Sequence, residues 1–256
     1  MYDFSGEGFF GYGEPGDFQY FSFWHFLPIC LLIAAIFLTY KYRETIRNWK
    51  GEGTFRFVLA FVMLVVEMSY YWRLLYTGDE YGEYTLMNRL PLQVCQWGLI
   101  CAAFALMSLN NTLFNINFYV TLVFATLAIL TPAVISREGP GYYRYYQFWL
   151  EHELPIYATM YLIFVKGEAP KYKHIWTTIG GLLALSLVCS YANSKIEMAN
   201  YMYLKPSDDA TIGTSPMDFL PENIVLRIIC LTAITAILFH LVYFIWKKLS
   251  EKKEIK

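Results

Sequence analysis

Charge is scarce in this chain. Of its 256 residues, 16% are Asp, Glu, Lys or Arg, while 57% are hydrophobic and 19% aromatic. Soluble domains carry roughly a quarter charged residues. The charges also fall in clumps, leaving long windows with almost none, which excludes one large soluble core and points to membrane spans. The net charge is −1, so no basic surface for nucleic acid is indicated. Residues 1–21 hold acids and aromatics but no Lys or Arg, so the basic start of a secretory signal peptide is missing. Cysteine is sparse as well. Cys30, Cys95, Cys101, Cys189 and Cys230 all sit in apolar runs with no paired spacing, which argues against a disulfide framework or a zinc ribbon. No internal repeat, linker or second domain is visible.

What is present is a series of apolar runs, organised around Leu90-Pro91-Leu92-Gln93-Val94-Cys95-Gln96-Trp97. This stretch opens a run reaching Leu109, yet it places Gln93, Cys95 and Gln96 where hydrocarbon is expected. A polar cluster there is costly unless neighbouring helices partner it. Seven candidate spans follow from the hydropathy: 22–41, 54–76, 90–109, 114–135, 144–166, 173–194 and 222–247. The predicted fold is all-α, a polytopic seven-helix membrane bundle over 22–247. It is preceded by an interfacial or disordered segment, 1–21, and followed by a basic tail, 248–256. Pro132 and Pro155 fall inside the fourth and fifth spans, where neighbours must satisfy the carbonyl each one frees.

Lys and Arg in the loops set the orientation. Lys41, Arg43, Arg47, Lys50 and Arg56, then Lys166, Lys171 and Lys173, then Lys247, Lys248, Lys252, Lys253 and Lys256 share one side. The opposite side has Arg89, Arg137, Arg144, Lys195 and Lys205. The amino terminus is thus expected outside and the carboxyl terminus in the cytoplasm. The longest loop, 195–221, with Asp208, Asp209, Asp218, Pro206, Pro216 and Pro221, is expected outside, capping the bundle.

Orientation converts to depth at about 1.5 Å per residue. Cys95 falls roughly 8 Å, and His152 roughly 12 Å, below the outer boundary. His25 is shallow on that side, Arg73 lies near the outer end of the second span, and Glu67 is deeper. Five ionisable or nucleophilic groups thus crowd the outer half, while the inner half shows His174 and His240 near span ends. Arg73 is expected to snorkel to the interface. Glu67 is too deep to do so and needs a partner. In Glu151-His152-Glu153-Leu154-Pro155 the three polar residues cannot share one helix face, so at least one faces a polar cavity. Cys95 reads either as packing or as a nucleophile. A histidine that takes its proton activates it, and acyl transfer through a thioester needs that pair plus oxyanion donors, for which Gln93, Asn200 and Arg73 are candidates. Ester groups of membrane lipids lie near this depth.

The run Leu90-Pro91-Leu92-Gln93-Val94-Cys95 resembles the Leu-Pro-Leu-x-x-Cys motif of the YwaF-like family of bacterial membrane proteins. Phe23-Trp24-His25-Phe26 is similar to its first-span histidine, and Tyr145-Tyr146 through His152 and Tyr157 to its fifth-span histidine region. Asn200-Tyr201-Met202-Tyr203-Leu204 followed by Pro206 is similar to its Asn-Tyr-Met loop. Gln93 and Gln96 depart from the family pattern, which places histidine or an acid there in many bacterial members. Eukaryotic relatives include a transmembrane acyltransferase that esterifies ether lysophospholipids and depends on a cysteine. The resemblance implies Cys95 as acyl-accepting nucleophile, His152 as its base, and Asn200 in a loop over the site, with His25, Glu67, Arg73, Gln93 and Tyr157 supporting.

It also implies a multi-pass protein of the bacterial cytoplasmic membrane, with membrane lipid as partner, a phospholipid as acyl donor and no cofactor. Three other functions compete. One is a transporter using Glu67, His152 and Arg73, although no repeat supports it. Another is a metal-dependent hydrolase on His25, Cys95 and His152. The third is a non-enzymatic lipid-binding protein in which polar residues glue helices together.

Overall fold

A computed structural model describes residues 8–14, 16–77, 90–132, 135, 138–196, 199–206 and 217–254. Arg89, Arg137, Asp208, Asp209 and Pro216, used above for orientation and the long loop, lie outside the described residues. Among the described residues the structure is helical, without strands. The helices are α1 (Phe23–Lys41), the short α2 (Arg43–Arg47), α3 (Glu52–Thr77), α4 (Val94–Ser108), α5 (Asn111–Val120), α6 (Thr126–Leu130), α7 (Tyr143–Lys166), α8 (Lys173–Lys195) and α9 (Ile224–Glu254). A π-helical segment, Thr121–Ala125, joins α5 to α6 into one rod.

Five of these rods are long and apolar enough to cross a membrane: Phe23–Lys41, Glu52–Leu75, Asn111–Leu130, Lys173–Lys195 and Ile224–Glu251. The other two depart from the expected seven for different reasons. α4 has 15 residues, about 22 Å of helix, because Leu90 to Gln93 form a non-helical lead-in. α7 has 24 residues but carries Arg144, Glu151 and Glu153. Both polar-bearing helices are enclosed, as is the α5 rod. α4 packs against α3, α5 and α7, and α7 also packs against α1 and α3. At the periphery only 22% of the apolar stretch of α1 and 11% of that of α9 is buried, α9 packing on the core through one face that includes Phe239.

Small residues let the central helices approach. Ala102, Ala103, Ala105 and Gly98 line α4, and a Cβ on Gly98 would stand 3.1 Å from Val120 Cγ1. Around them Met63, Leu99, Leu106, Phe114, Phe118, Tyr161 and Phe239 close the core.

Several boundaries move. The fourth span starts at Asn111, capped by Asn110, whose side chain accepts from the Thr112 and Leu113 N–H groups. It ends at Leu130, so Pro132 follows the helix instead of interrupting it. Thr131, at φ −132° and ψ 65°, has already left helical geometry, as a residue one before proline should. α9 runs on through Glu254, so the expected basic tail begins as helix. The segment expected to be interfacial or disordered is, from residue 8 onward, folded onto the bundle. Arg73 Nε donates to the Phe10 carbonyl at 2.8 Å and Nη2 to that of Gly11 at 2.6 Å, and its guanidinium stacks on the Tyr12 ring at 4.5 Å. Tyr143 N–H adds a bond to Phe9 O at 2.7 Å.

Candidate functional site

The lead-in to α4 is fixed by a neighbouring loop. Leu90 N–H donates to the Tyr201 hydroxyl at 2.8 Å, Cys189 Sγ to the Leu92 carbonyl at 3.4 Å, and Met202 N–H to Gln93 Oε1 at 3.2 Å. That loop is itself braced from two helices. Asn193 of α8 accepts from Tyr201 N–H at 2.8 Å and donates to its carbonyl at 3.1 Å. Arg227 of α9, fully buried, donates to the carbonyls of Tyr203, Met217, Leu220 and Pro221. The bracing holds Met202 and Tyr203 in left-handed backbone, φ 57° and 54°, where side chains other than glycine's are strained. Tyr203 thereby reaches electrostatic range of Cys95.

Cys95 is the second residue of α4, after the N-cap Gln93. Beside it Gln96 spends every hydrogen-bonding group of its amide. Oε1 accepts from the Gln93 N–H at 3.1 Å, the reach-back half of a capping box. Nε2 donates to Glu67 Oε1 and to the Tyr71 hydroxyl, both at 2.8 Å. Glu67, 4% exposed, therefore finds its partner on α4, while its second oxygen, Oε2, is buried with no hydrogen-bond partner.

α7 supplies the facing wall. Arg144 donates to Glu151 Oε2 at 3.1 Å and to Gln147 Oε1, and its guanidinium lies 4.8 Å from the Tyr70 ring. Gln147 Nε2 donates to the same Glu151 oxygen at 3.1 Å. Both Glu67 and Glu151 are within electrostatic range of the Cys95 sulfur. His152 turns its Nδ1 to the Phe148 carbonyl at 2.8 Å, with the two rings 4.4 Å apart. A carbonyl only accepts, so Nδ1 carries the proton and Nε2 the lone pair. Among the described residues no hydrogen bond joins Cys95 to His152.

The other sequence-derived candidates disperse. His25 accepts from Phe21 N–H at Nδ1 and donates from Nε2 to the Ile129 carbonyl, each at 3.0 Å, a latch between α1 and the end of α6. With both nitrogens engaged it has none for a metal, and among the described residues no group of three or more His, Cys, Asp or Glu could hold one. Tyr157 hydrogen-bonds Thr39 at 3.0 Å on α1. Asn200 closes its own turn with two 2.9 Å bonds to the Lys205 backbone. Arg73 is 4% exposed, lies 3.7 Å from Glu138 and grips the amino-terminal segment, so it does not snorkel. Neither Asn200 nor Arg73 stands as an oxyanion donor.

Arg144, Gln147 and Tyr71 were not singled out from sequence. Their signal is local, since Arg144, Gln147 and Glu151 recur at helical spacing. The half of the bundle opposite Cys95 is also more polar than the apolar runs suggest. Glu52, at the start of α3, accepts from Arg56 at 2.8 Å, Tyr161 at 3.1 Å and Lys166 at 3.3 Å. Nearer the middle, Asn117 donates to Thr159 at 2.8 Å and accepts from Thr121 at 2.6 Å. Starting the second span at 54 leaves Glu52 in a loop, which hides its i,i+4 pairing with Arg56.

Long apolar helices on the outside, with a buried acid and amide and a half-buried thiol where α3, α4 and α7 meet, define a membrane protein of the helical-bundle class. The chain belongs to the TMEM164 family, whose model matches residues 20–246. The motif-level resemblance to YwaF-like proteins is a finer statement than this match makes. No curated protein and no solved structure matches the chain.

Proposed function

We propose that the chain is a Cys/His-dependent acyltransferase acting on membrane phospholipid or lysophospholipid near the outer leaflet. All seven rods would cross the membrane, α4 through its extended lead-in, with the amino terminus outside. The observation that carries the proposal is the position of Cys95 in the first turn of α4. The N–H groups of a helix's first turn lack intrahelical partners and mark the positive end of the helix dipole. The dipole there acts in favour of a thiolate, while burial and the Glu151 and Glu67 carboxylates oppose it, so the thiol needs a base to take its proton as it attacks. The same N–H groups take over as oxyanion donors from Arg73 and Asn200.

In the reaction, Cys95 Sγ attacks the acyl carbonyl of a donor phospholipid while its proton passes to His152 Nε2. Loss of the ester oxygen leaves the thioester, and the imidazolium returns the proton to the departing lysolipid. A hydroxyl of a second lysolipid then attacks the thioester and releases the sulfur. Among the described residues the thiol and imidazole make no hydrogen bond, so the proposed transfer requires them to meet as the acyl group binds.

The test uses full-length protein in phosphatidylcholine vesicles supplied with an alkyne-tagged acyl phosphatidylcholine. A hydroxylamine-sensitive tag on Cys95, and loss of acyl exchange in Cys95→Ala with the fold retained, are the expected results. Exchange that persists in Cys95→Ala, or active protein with no tag on Cys95, overturns the reading.

A further inference from the structure

Within the polar cluster one group has no described role. The Glu151 carboxylate is held by Arg144 and Gln147. Glu67, by contrast, has one oxygen on Gln96 and the other, Oε2, on nothing, although the side chain is 4% exposed. Among the described residues it is in no ion pair, and Arg144, the guanidinium of this cluster, is already paired with Glu151. A carboxylate oxygen buried without a donor is costly. Such an oxygen persists where a donor arrives from outside. Gln96 ties Glu67 to the first turn of α4, the turn that carries Cys95, and the carboxylate is within electrostatic range of the sulfur.

The donor class follows from what the site must bind. Building on the acyltransferase reading, we propose that Glu67 Oε2 is the general base of the second half-reaction, receiving the hydroxyl of the lysophospholipid acceptor. As that hydroxyl oxygen attacks the Cys95 thioester, its proton moves to Glu67 Oε2. The new C–O ester bond forms, the C–S bond breaks, and the proton returns to the Cys95 sulfur. No electron is gained or lost and no co-reactant is needed. His152 serves the first half-reaction and Glu67 the second, so each proton transfer has its own base.

The two half-reactions can be separated in full-length protein in phosphatidylcholine vesicles, using the alkyne-tagged donor with and without lysophosphatidylcholine. Glu67→Gln keeps an oxygen for Gln96 and removes only the basic oxygen. The expected result is a Cys95 thioester at wild-type level without acceptor, discharged by lysophosphatidylcholine about a hundredfold or more slowly. Hydroxylamine should discharge it at the wild-type rate, which shows that the thioester remains open to attack. Glu67→Asp, which keeps a carboxylate but withdraws it, should slow discharge about tenfold, and it decides the matter if Glu67→Gln does not fold. Wild-type discharge by the acceptor in either variant overturns the proposal, as does a variant that folds but forms no thioester. A wild-type protein that never forms the thioester instead overturns the acyltransferase reading, and this proposal with it.

Discussion

The Tyr145 hydroxyl donates to the Trp24 carbonyl at 2.6 Å. That carbonyl would receive the N–H of the residue four positions on, but Pro28 stands there and has none. A side chain of α7 thus completes the backbone of α1, and in a bilayer no water would do so. The proline that breaks one helix's ladder is what docks the two helices.

Tyr145→Phe should therefore destabilise the protein by about 1 kcal/mol. Pro28→Ala restores the missing donor, so in that background Tyr145→Phe should be nearly neutral. Thermal unfolding of the four proteins in detergent gives the coupling. Equal losses in both backgrounds would mean the hydroxyl does not serve that carbonyl.

Arg144, half-buried, and Glu151, buried, form a pair 3.1 Å apart. Arg144→Met alone should destabilise by about 3–5 kcal/mol, because a carboxylate is left without its cation. Arg144→Met with Glu151→Leu should recover more than half of that loss. Denaturation midpoints of the single and double variants decide it.

The grip of Arg73 on the Phe10 and Gly11 carbonyls predicts a local effect. Arg73→Ala should release the amino-terminal segment while the helices stay folded. Hydrogen exchange should accelerate at residues 8–14 and stay unchanged along α4 and α7. Uniform acceleration would assign Arg73 to the core instead.

Leu109 ends α4 in left-handed backbone at φ 53° and is partly exposed. Glycine carries no penalty there, so Leu109→Gly should stabilise the protein by about 1 kcal/mol, read as a higher Tm. A lower Tm would show that the leucine's packing outweighs its strain.

The runs that make the helices were legible because apolar length is a local property. Gln93, Cys95 and Gln96 also stood out, as polar residues in an apolar context. What could not be read was pairing at a distance. Glu67 needed a partner, yet nothing in its neighbourhood names Gln96, 29 positions away, since the meeting depends on how α3 and α4 rotate against each other. The pairing of Arg73 is hidden for a related reason. Its partners are backbone carbonyls, which every residue has and no sequence pattern marks. His25 stands out in sequence because it falls on the same side of the bilayer as the other polar groups, but both of its nitrogens serve the backbone.

The π-helical segment Thr121–Ala125 makes wider turns than the α-helix before and after it. One residue more or less turns everything downstream by about 100°. The turn Thr126–Leu130 is thereby set out of phase with α5, and the Ile129 carbonyl meets His25 in that offset position. Deleting one amino acid between 121 and 125 would leave a helix of ordinary winding whose far end presents the wrong side to α1.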